Sequence, residues 1–189
     1  QIMPNAVPQH SLETAPEKSK PLLRQLLEQS GPNGFYSVTA ESPETLTAYA
    51  MLHKAFMASS FTNEEKTVIW QTINVENQCH FCVPAHTYMA KAMKIDKAVS
   101  DALRNETALP TARLEALRDF TLLMLRNHGN ASDAEISNFL SAGYTHQNML
   151  EVVLGLAQKT ISNYINHLAR TPVDKQYEKY AWYKWNKIK

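Results

Sequence analysis

The chain has 189 residues, 44% hydrophobic and 20% charged, enough to bury one sizeable core without disulfide staples. Nineteen basic against eighteen acidic residues leave a formal charge of +1, which excludes a broad basic face for nucleic acid. No run approaches the roughly 20 apolar residues of a membrane span, and no secretory leader pattern opens the sequence, so a cytoplasmic location is expected.

Residues 1–15 are polar, contain Pro4 and Pro8, and show no periodicity, which predicts a flexible N-terminal arm ahead of a single all-helical domain over 16–189. Leu22, Leu23, Leu26 and Leu27 recur at helical spacing and stop near Gly31-Pro32-Asn33-Gly34. Phe35 to Thr39 is the one stretch that reads as a strand, and it is too isolated to build a sheet. Ser42-Pro43-Glu44 opens a helix, with Ser42 as cap and Pro43 in the first helical position. Thr62-Asn63-Glu64-Glu65 resembles a capping box ahead of Val68 to Val75. Helical segments follow from the cysteines through Met93, then over Asp96 to Arg104, Thr111 to Asn127, Asp133 to Ala142 and Asn148 to Ala169. Thr171-Pro172 ends the last. Its apolar surplus exceeds what one solvated helix needs and predicts subunit packing. The Trp182, Tyr183 and Trp185 cluster reads as a clasp on a neighbouring subunit, and the lysines near the end read as a solvated tail.

Only two cysteines are present, three residues apart, in Cys79-His80-Phe81-Cys82-Val83-Pro84-Ala85-His86. A secreted disulfide scaffold would carry more of them, spread along the chain. Cys79, Cys82 and His86 stand at i, i+3 and i+7, which on one helix would share a face. Proline is tolerated only in a first turn, so Pro84 places the helix start at about residues 80–83 and Cys82 in or beside that turn. There the helix dipole and exposed N–H groups favour a thiolate. A nucleophile, a second thiol and His86 as base make a redox site. Structural zinc needs four ligands where three are supplied, and haem attachment needs a histidine where Val83 stands. Two buried small side chains with a satisfied histidine are the plainer alternative. His53 reads as a core or interface histidine beside Tyr49 and Phe56, and His167 as structural.

The segment Val68 to Met93, with Asn77-Gln78-Cys79-His80-Phe81-Cys82 and Ala85-His86-Thr87, resembles the alkylhydroperoxidase D-like group of the carboxymuconolactone decarboxylase family. Thr14-Ala15-Pro16, Ser42-Pro43 with Tyr49, and Asn166-His167-Leu168-Ala169 with Thr171-Pro172, Asp174 and Trp182 extend the likeness over most of the chain. The resemblance implies an all-α helical bundle assembled as trimers or hexamers. It implies a peroxidase in which Cys82 attacks a hydroperoxide, Cys79 resolves the sulfenic acid as a disulfide, and His86 relays protons. An external dithiol, in some relatives a lipoylated protein, would restore the thiols, with no metal or other cofactor.

The family usually places a glutamate of the relay twelve residues before the first cysteine, where this chain has Thr67. A hydroxyl passes a hydrogen bond but is no base near neutral pH. Glu64, one turn earlier, and Glu76, three residues before Cys79, are substitutes, although each also reads as a solvated carboxylate. The alternatives are a redox-sensing oligomer without turnover, or a lactone decarboxylase, whose relatives generally lack the dithiol. The departure at Thr67 makes one prediction: Thr67→Glu raises the steady-state rate of hydroperoxide reduction, and an unchanged or lower rate in a folded variant would place the relay in other groups.

Overall fold

The structure, a computed structural model, describes residues 6–184. Among these the regular elements are all helical. They are α1 (Lys20–Ser30), α2 (Gly34–Thr39), α3 (Pro43–Met57), α4 (Asn63–Glu76), α5 (Cys82–Ala92), α6 (Lys97–Asn105), α7 (Ala112–Arg126), α8 (Asp133–Ser141) and α9 (His146–Ala169), with 3-10 turns at Glu17–Ser19 and Lys175–Tyr180. Side-chain caps set most of the starts. Ser42 accepts from the Thr45 N–H, while Thr62 with Glu65, Ser132 with Glu135, and Thr145 with Asn148 form reciprocal boxes.

Phe35 to Thr39 is helix, not strand. Asn33 caps it by accepting from the Tyr36 N–H, and the Thr39 hydroxyl donates back to the Phe35 carbonyl. A lone β-type segment with no partner strand leaves its backbone unpaired, and one helical turn pairs it locally. The segment expected as an arm lies, from His10 to Ala15, against α2 and the turn that follows it. The His10 N–H bonds the Ser37 carbonyl, its ring meets Glu41, and Ala15 is buried with Leu23 and Leu46.

Helix α4 is the axis of the domain: every residue from Glu65 to Val75 is buried. Val68, Ile69, Trp70 and Ile73 enter the main core with Phe56, Leu117, Phe120, Phe139 and Val152. Most of its polar residues find partners, as when Lys66 reaches the Met57 carbonyl at 2.7 Å, whereas the buried Thr72 hydroxyl has none among the described residues. Gln71, Asn74 and Asn77 form a polar stripe toward α5 and α9. Gly155 lets α9 approach closely, since a Cβ there would lie 2.9 Å from Phe56 Cε2 and 3.1 Å from Ile69 Cγ2.

Trp182 is not a clasp on a neighbour. It is buried within the chain against Val75 and Val83, and its indole N–H donates to the Arg104 carbonyl at 2.9 Å. Burying a large ring with its one donor satisfied is gained without a second subunit. Tyr183 stays half exposed beside His80, while Trp185 and the final lysines lie outside the described residues. On the outer side of α9, Leu150, Val153, Tyr164 and Leu168 are exposed, the first and last at 74% and 75%. No described helix is long and apolar enough to cross a membrane.

The tight crossing at Gly155 makes a prediction. Gly155→Val forces the Phe56 and Ile69 side chains apart and destabilises the fold by about 1–3 kcal/mol, read as a lowered urea midpoint at unchanged slope.

Candidate active site

The end of α4 and the start of α5 position the two cysteines. Gln78 turns left-handed at φ 54°. The Gln78 and Cys79 N–H groups then bond back to the Val75 and Asn74 carbonyls, closing α4 in a Schellman arrangement. Cys79 therefore stands before α5, not on it, and shares no helix face with His86. It supports the start of α5 from outside the helix: its carbonyl accepts from the Val83 N–H, and its sulfur accepts from the Cys82 N–H at 3.1 Å. Cys82 is the first residue of α5, with Pro84 still inside the first turn, where its missing N–H leaves nothing unpaired. The Cys79 and Cys82 sulfurs are joined as a disulfide at 2.08 Å, with Cα atoms 5.1 Å apart.

Helix α9 supplies the sulfur's polar neighbours. The carboxamides of Asn163 and Asn166 donate to Cys82 Sγ at 3.2 and 3.3 Å. Asn163 is held in turn by the stripe on α4: Asn77 donates to it, it donates to Asn74, Asn74 to Gln71, and Gln71 to the Val83 carbonyl of α5. This chain of carboxamides locks three helices around one sulfur. Donors aimed at sulfur, added to the positive end of α5, stabilise a thiolate at Cys82 more than at Cys79.

Cys82 also forms part of the wall of a cavity of about 350 Å³ between α2, α3, α5 and α9. Phe35, Tyr36, Tyr49, Phe81, Tyr88 and Tyr177 give it aromatic sides. Its polar floor is made of His53, His86 and Lys159. Lys159 is 2% exposed, and its Nζ lies 2.9 Å from His86 Nε2. Burial pushes the Lys159 ammonium down to about 7. Burial, then the nearby Lys159 and His53, hold His86 well below the usual imidazole range, so its Nε2 is an acceptor for the Lys159 N–H. His53, lowered to about 4 by burial and Lys159, stacks between Tyr49 and Trp70. Gln158 fixes it, meeting His53 Nδ1 at 2.9 Å while accepting from the Trp70 indole N–H.

The residues expected from the sequence divide here. Cys79, Cys82 and His86 are brought together. Thr67 is buried in α4, but its hydroxyl donates to the Asn63 carbonyl at 2.9 Å and it does not line the cavity. Glu64 does not line it either. Glu76 is taken up elsewhere: burial works against its charge, but Arg126 and Lys184 hold it below the ordinary carboxylate range. His53, expected in a core or interface, lines the cavity. His167 lies on the other side of the disulfide, with Nε2 3.2 Å from the Gln78 carbonyl. Lys159, Asn163 and Asn166 were not singled out as site residues from the sequence. Their signal was present, because Lys159, Ser162, Asn163 and Asn166 fall at i, i+3, i+4 and i+7 as a polar stripe inside an apolar helix. Among the described residues, no group of three or more His, Cys, Asp or Glu side chains is placed to hold a metal.

Lys159 makes a prediction about stability. The unfolded chain keeps the lysine proton to near 10.5 and the folded chain only to about 7. Over that window the unfolded state binds more protons, so native stability rises with pH, and below it the full burial penalty applies. Lys159→Met should stabilise the protein at pH 6 by about 1–4 kcal/mol and flatten that rise between pH 7 and 9, both measured by chemical denaturation.

No protein-family model and no curated protein matches the chain. Solved structures do. An uncharacterized peroxidase-related protein of Ralstonia eutropha JMP134, described as an alkylhydroperoxidase AhpD core, superposes at TM-score 0.79 and 20% identity, over 93% of this chain and 96% of that one. An uncharacterized peroxidase-related protein of Silicibacter sp. TM1040 does so at 0.76 and 18%, over 93% and 95%. The debrominase Bmp8 matches at 0.76 and 16% over the whole of both chains. A cysteine-to-alanine variant of that debrominase, in complex with 2,3,4-tribromopyrrole, matches at 0.73. At these identities the likeness establishes architecture, and the chain has the all-α fold of the alkylhydroperoxidase D-like proteins.

Proposed function

We propose that this protein is a thiol-dependent oxidoreductase that reduces a hydroperoxide bound in the aromatic cavity beside Cys82. One observation carries the reading: the Cys82 sulfur, bonded to Cys79, sits at a helix N-terminus, receives two carboxamide donors and borders a cavity floored by a lysine–histidine pair. In the reduced protein the Cys82 thiolate attacks the distal oxygen of the hydroperoxide. The O–O bond breaks, the S–O bond of a sulfenic acid forms, and the alkoxide takes a proton and leaves as an alcohol. The Cys79 thiolate then displaces the sulfenic oxygen as water, forming the disulfide. A dithiol from outside, such as a lipoylated protein, returns two electrons and two protons.

Lys159 is the proton donor in this scheme, with His86 steadying its ammonium as acceptor. This assigns to α9 the part that the resemblance gave to a glutamate at the Thr67 position, and because Thr67 does not line the cavity, Thr67→Glu is on this reading expected to leave the rate unchanged. A cation in the cavity also favours the Cys82 thiolate, as long as Lys159 stays protonated. The exposed apolar stripe of α9, from Leu150 to Leu168, is where copies of the chain would pack as a trimer or hexamer.

The aromatic walls support a second reading, drawn from the debrominase likeness: reduction of a halogenated ring, in which two thiols and a C–Br bond yield C–H, the disulfide and HBr. Both readings place Cys82 at the reacting atom, and the product tells them apart.

The test uses cumene hydroperoxide with the reduced protein. Two thiols are lost per alcohol formed. Cys82→Ser abolishes turnover, whereas Cys79→Ser leaves one round of oxidation and traps a sulfenic acid that dimedone labels. The rate falls on the alkaline side with an apparent pKa near 7, the value to which burial brings Lys159, and Lys159→Met removes that limb. Turnover that survives Cys82→Ser would sink the assignment.

A further inference from the structure

A second cavity, of about 310 Å³, reaches the same disulfide from elsewhere. Its wall contains Cys79 but not Cys82, and it shares only Phe81 and Asn166 with the aromatic cavity. Among the described residues, the remaining lining side chains are His80, His167, Arg170 and Thr171, none of them a carboxylate. We propose that this cleft is the reductant's entrance, that it takes an anionic thiol, and that the thiol attacks Cys79 and not Cys82. The inference rests on the redox reading above and adds to it the site and charge class of the reductant.

Chemistry and geometry give the same direction. Thiolate attack on a disulfide proceeds along the line of the breaking S–S bond, from the side away from the leaving sulfur. The second cavity comes up to Cys79 without passing Cys82, and since Cys79 itself is 0% exposed, the attack requires the side chains over its sulfur to move aside. Exchange is faster when the departing thiolate is the more stable one. Cys82 departs into the start of α5 with Asn163 and Asn166 donating to its sulfur, whereas Cys79 has the Cys82 N–H. The step balances as follows. The incoming thiolate bonds to Cys79 Sγ, the S–S bond breaks, and Cys82 leaves as a thiolate. A second thiol then displaces the adduct from Cys79, so that two electrons enter and the external thiols depart as a disulfide. Substrate and reductant thus use different doors, and neither need leave for the other to bind.

The test takes the oxidised protein with thioglycolate, 2-mercaptoethanol or cysteamine, which are anionic, neutral and cationic. The reaction is quenched in iodoacetamide and the adducts are mapped by mass spectrometry. The expected intermediate carries the thiol on Cys79 and the alkyl group on Cys82. Arg170→Glu is expected to slow reduction by thioglycolate about three- to tenfold, leave 2-mercaptoethanol within twofold and accelerate cysteamine. The mapping needs no variant, so misfolding of Arg170→Glu would not remove the test. Adducts on Cys82 overturn the proposal, as does equal slowing of all three thiols by the variant, or reaction of the disulfide only after unfolding. Loss of thiols to cumene hydroperoxide reads the other half-reaction. Its failure counts against the peroxidase reading while the adduct position still decides this one.

Discussion

The structure depends on a helix that is buried on all sides and yet polar along one of them. Helix α4 brings Val68, Ile69, Trp70 and Ile73 to the core, and on another face it carries Gln71, Asn74 and Asn77 into the interior. Buried carboxamides left without partners would cost about 1–3 kcal/mol each. The fold answers by placing the start of α5 and the polar stripe of α9 against them. The resulting chain of hydrogen bonds from Asn77 through Asn163, Asn74 and Gln71 to the Val83 carbonyl fixes where Cys82 stands. Satisfying the centre of the protein and orienting the Cys82 sulfur are one arrangement.

The same economy governs the charges. A fully buried lysine is an expense that packing alone would remove, and Lys159 keeps its place beside His86 with its proton loosened to about 7. A group that gains or loses a proton near neutrality is useful where bond cleavage needs one. His86 and His53 are held neutral by their burial and by Lys159, so the cavity floor has one cation and two imidazole acceptors. In the function proposed above the proton comes from Lys159 on α9, while the hydroxyl of Thr67 returns to its own helix.

The disulfide divides the site into two environments. On the Cys82 side lie aromatic rings and a lysine; on the Cys79 side lie Arg170 and two histidines beside the end of α9. The cysteines are three residues apart in sequence, but the turn between α4 and α5 points them to different cavities. The left-handed Gln78 makes this possible by ending α4 before Cys79 and leaving the Cys79 sulfur to accept from the Cys82 N–H at the start of α5.

Local signals made much of this legible in the sequence. Ser42 and Thr62 mark helix starts by their side-chain oxygens, and Pro84 dates the beginning of α5 to within a residue or two, because capping and proline geometry act over four residues. The dithiol at a helix start follows from the same reasoning. Isolated five-residue readings failed where context decided, as at Phe35 to Thr39, which became helix for want of a partner strand. Trp182 was legible as apolar but not as internal, since its partners Val75 and Val83 lie far back in the chain. Lys159 sits 73 residues from His86, and Asn163 and Asn166 sit 81 and 84 from Cys82. The sequence by itself determined that two thiols would meet at the start of a helix. Only the tertiary structure decided which groups surround each sulfur, because those contacts are set by packing between helices that no local spacing encodes.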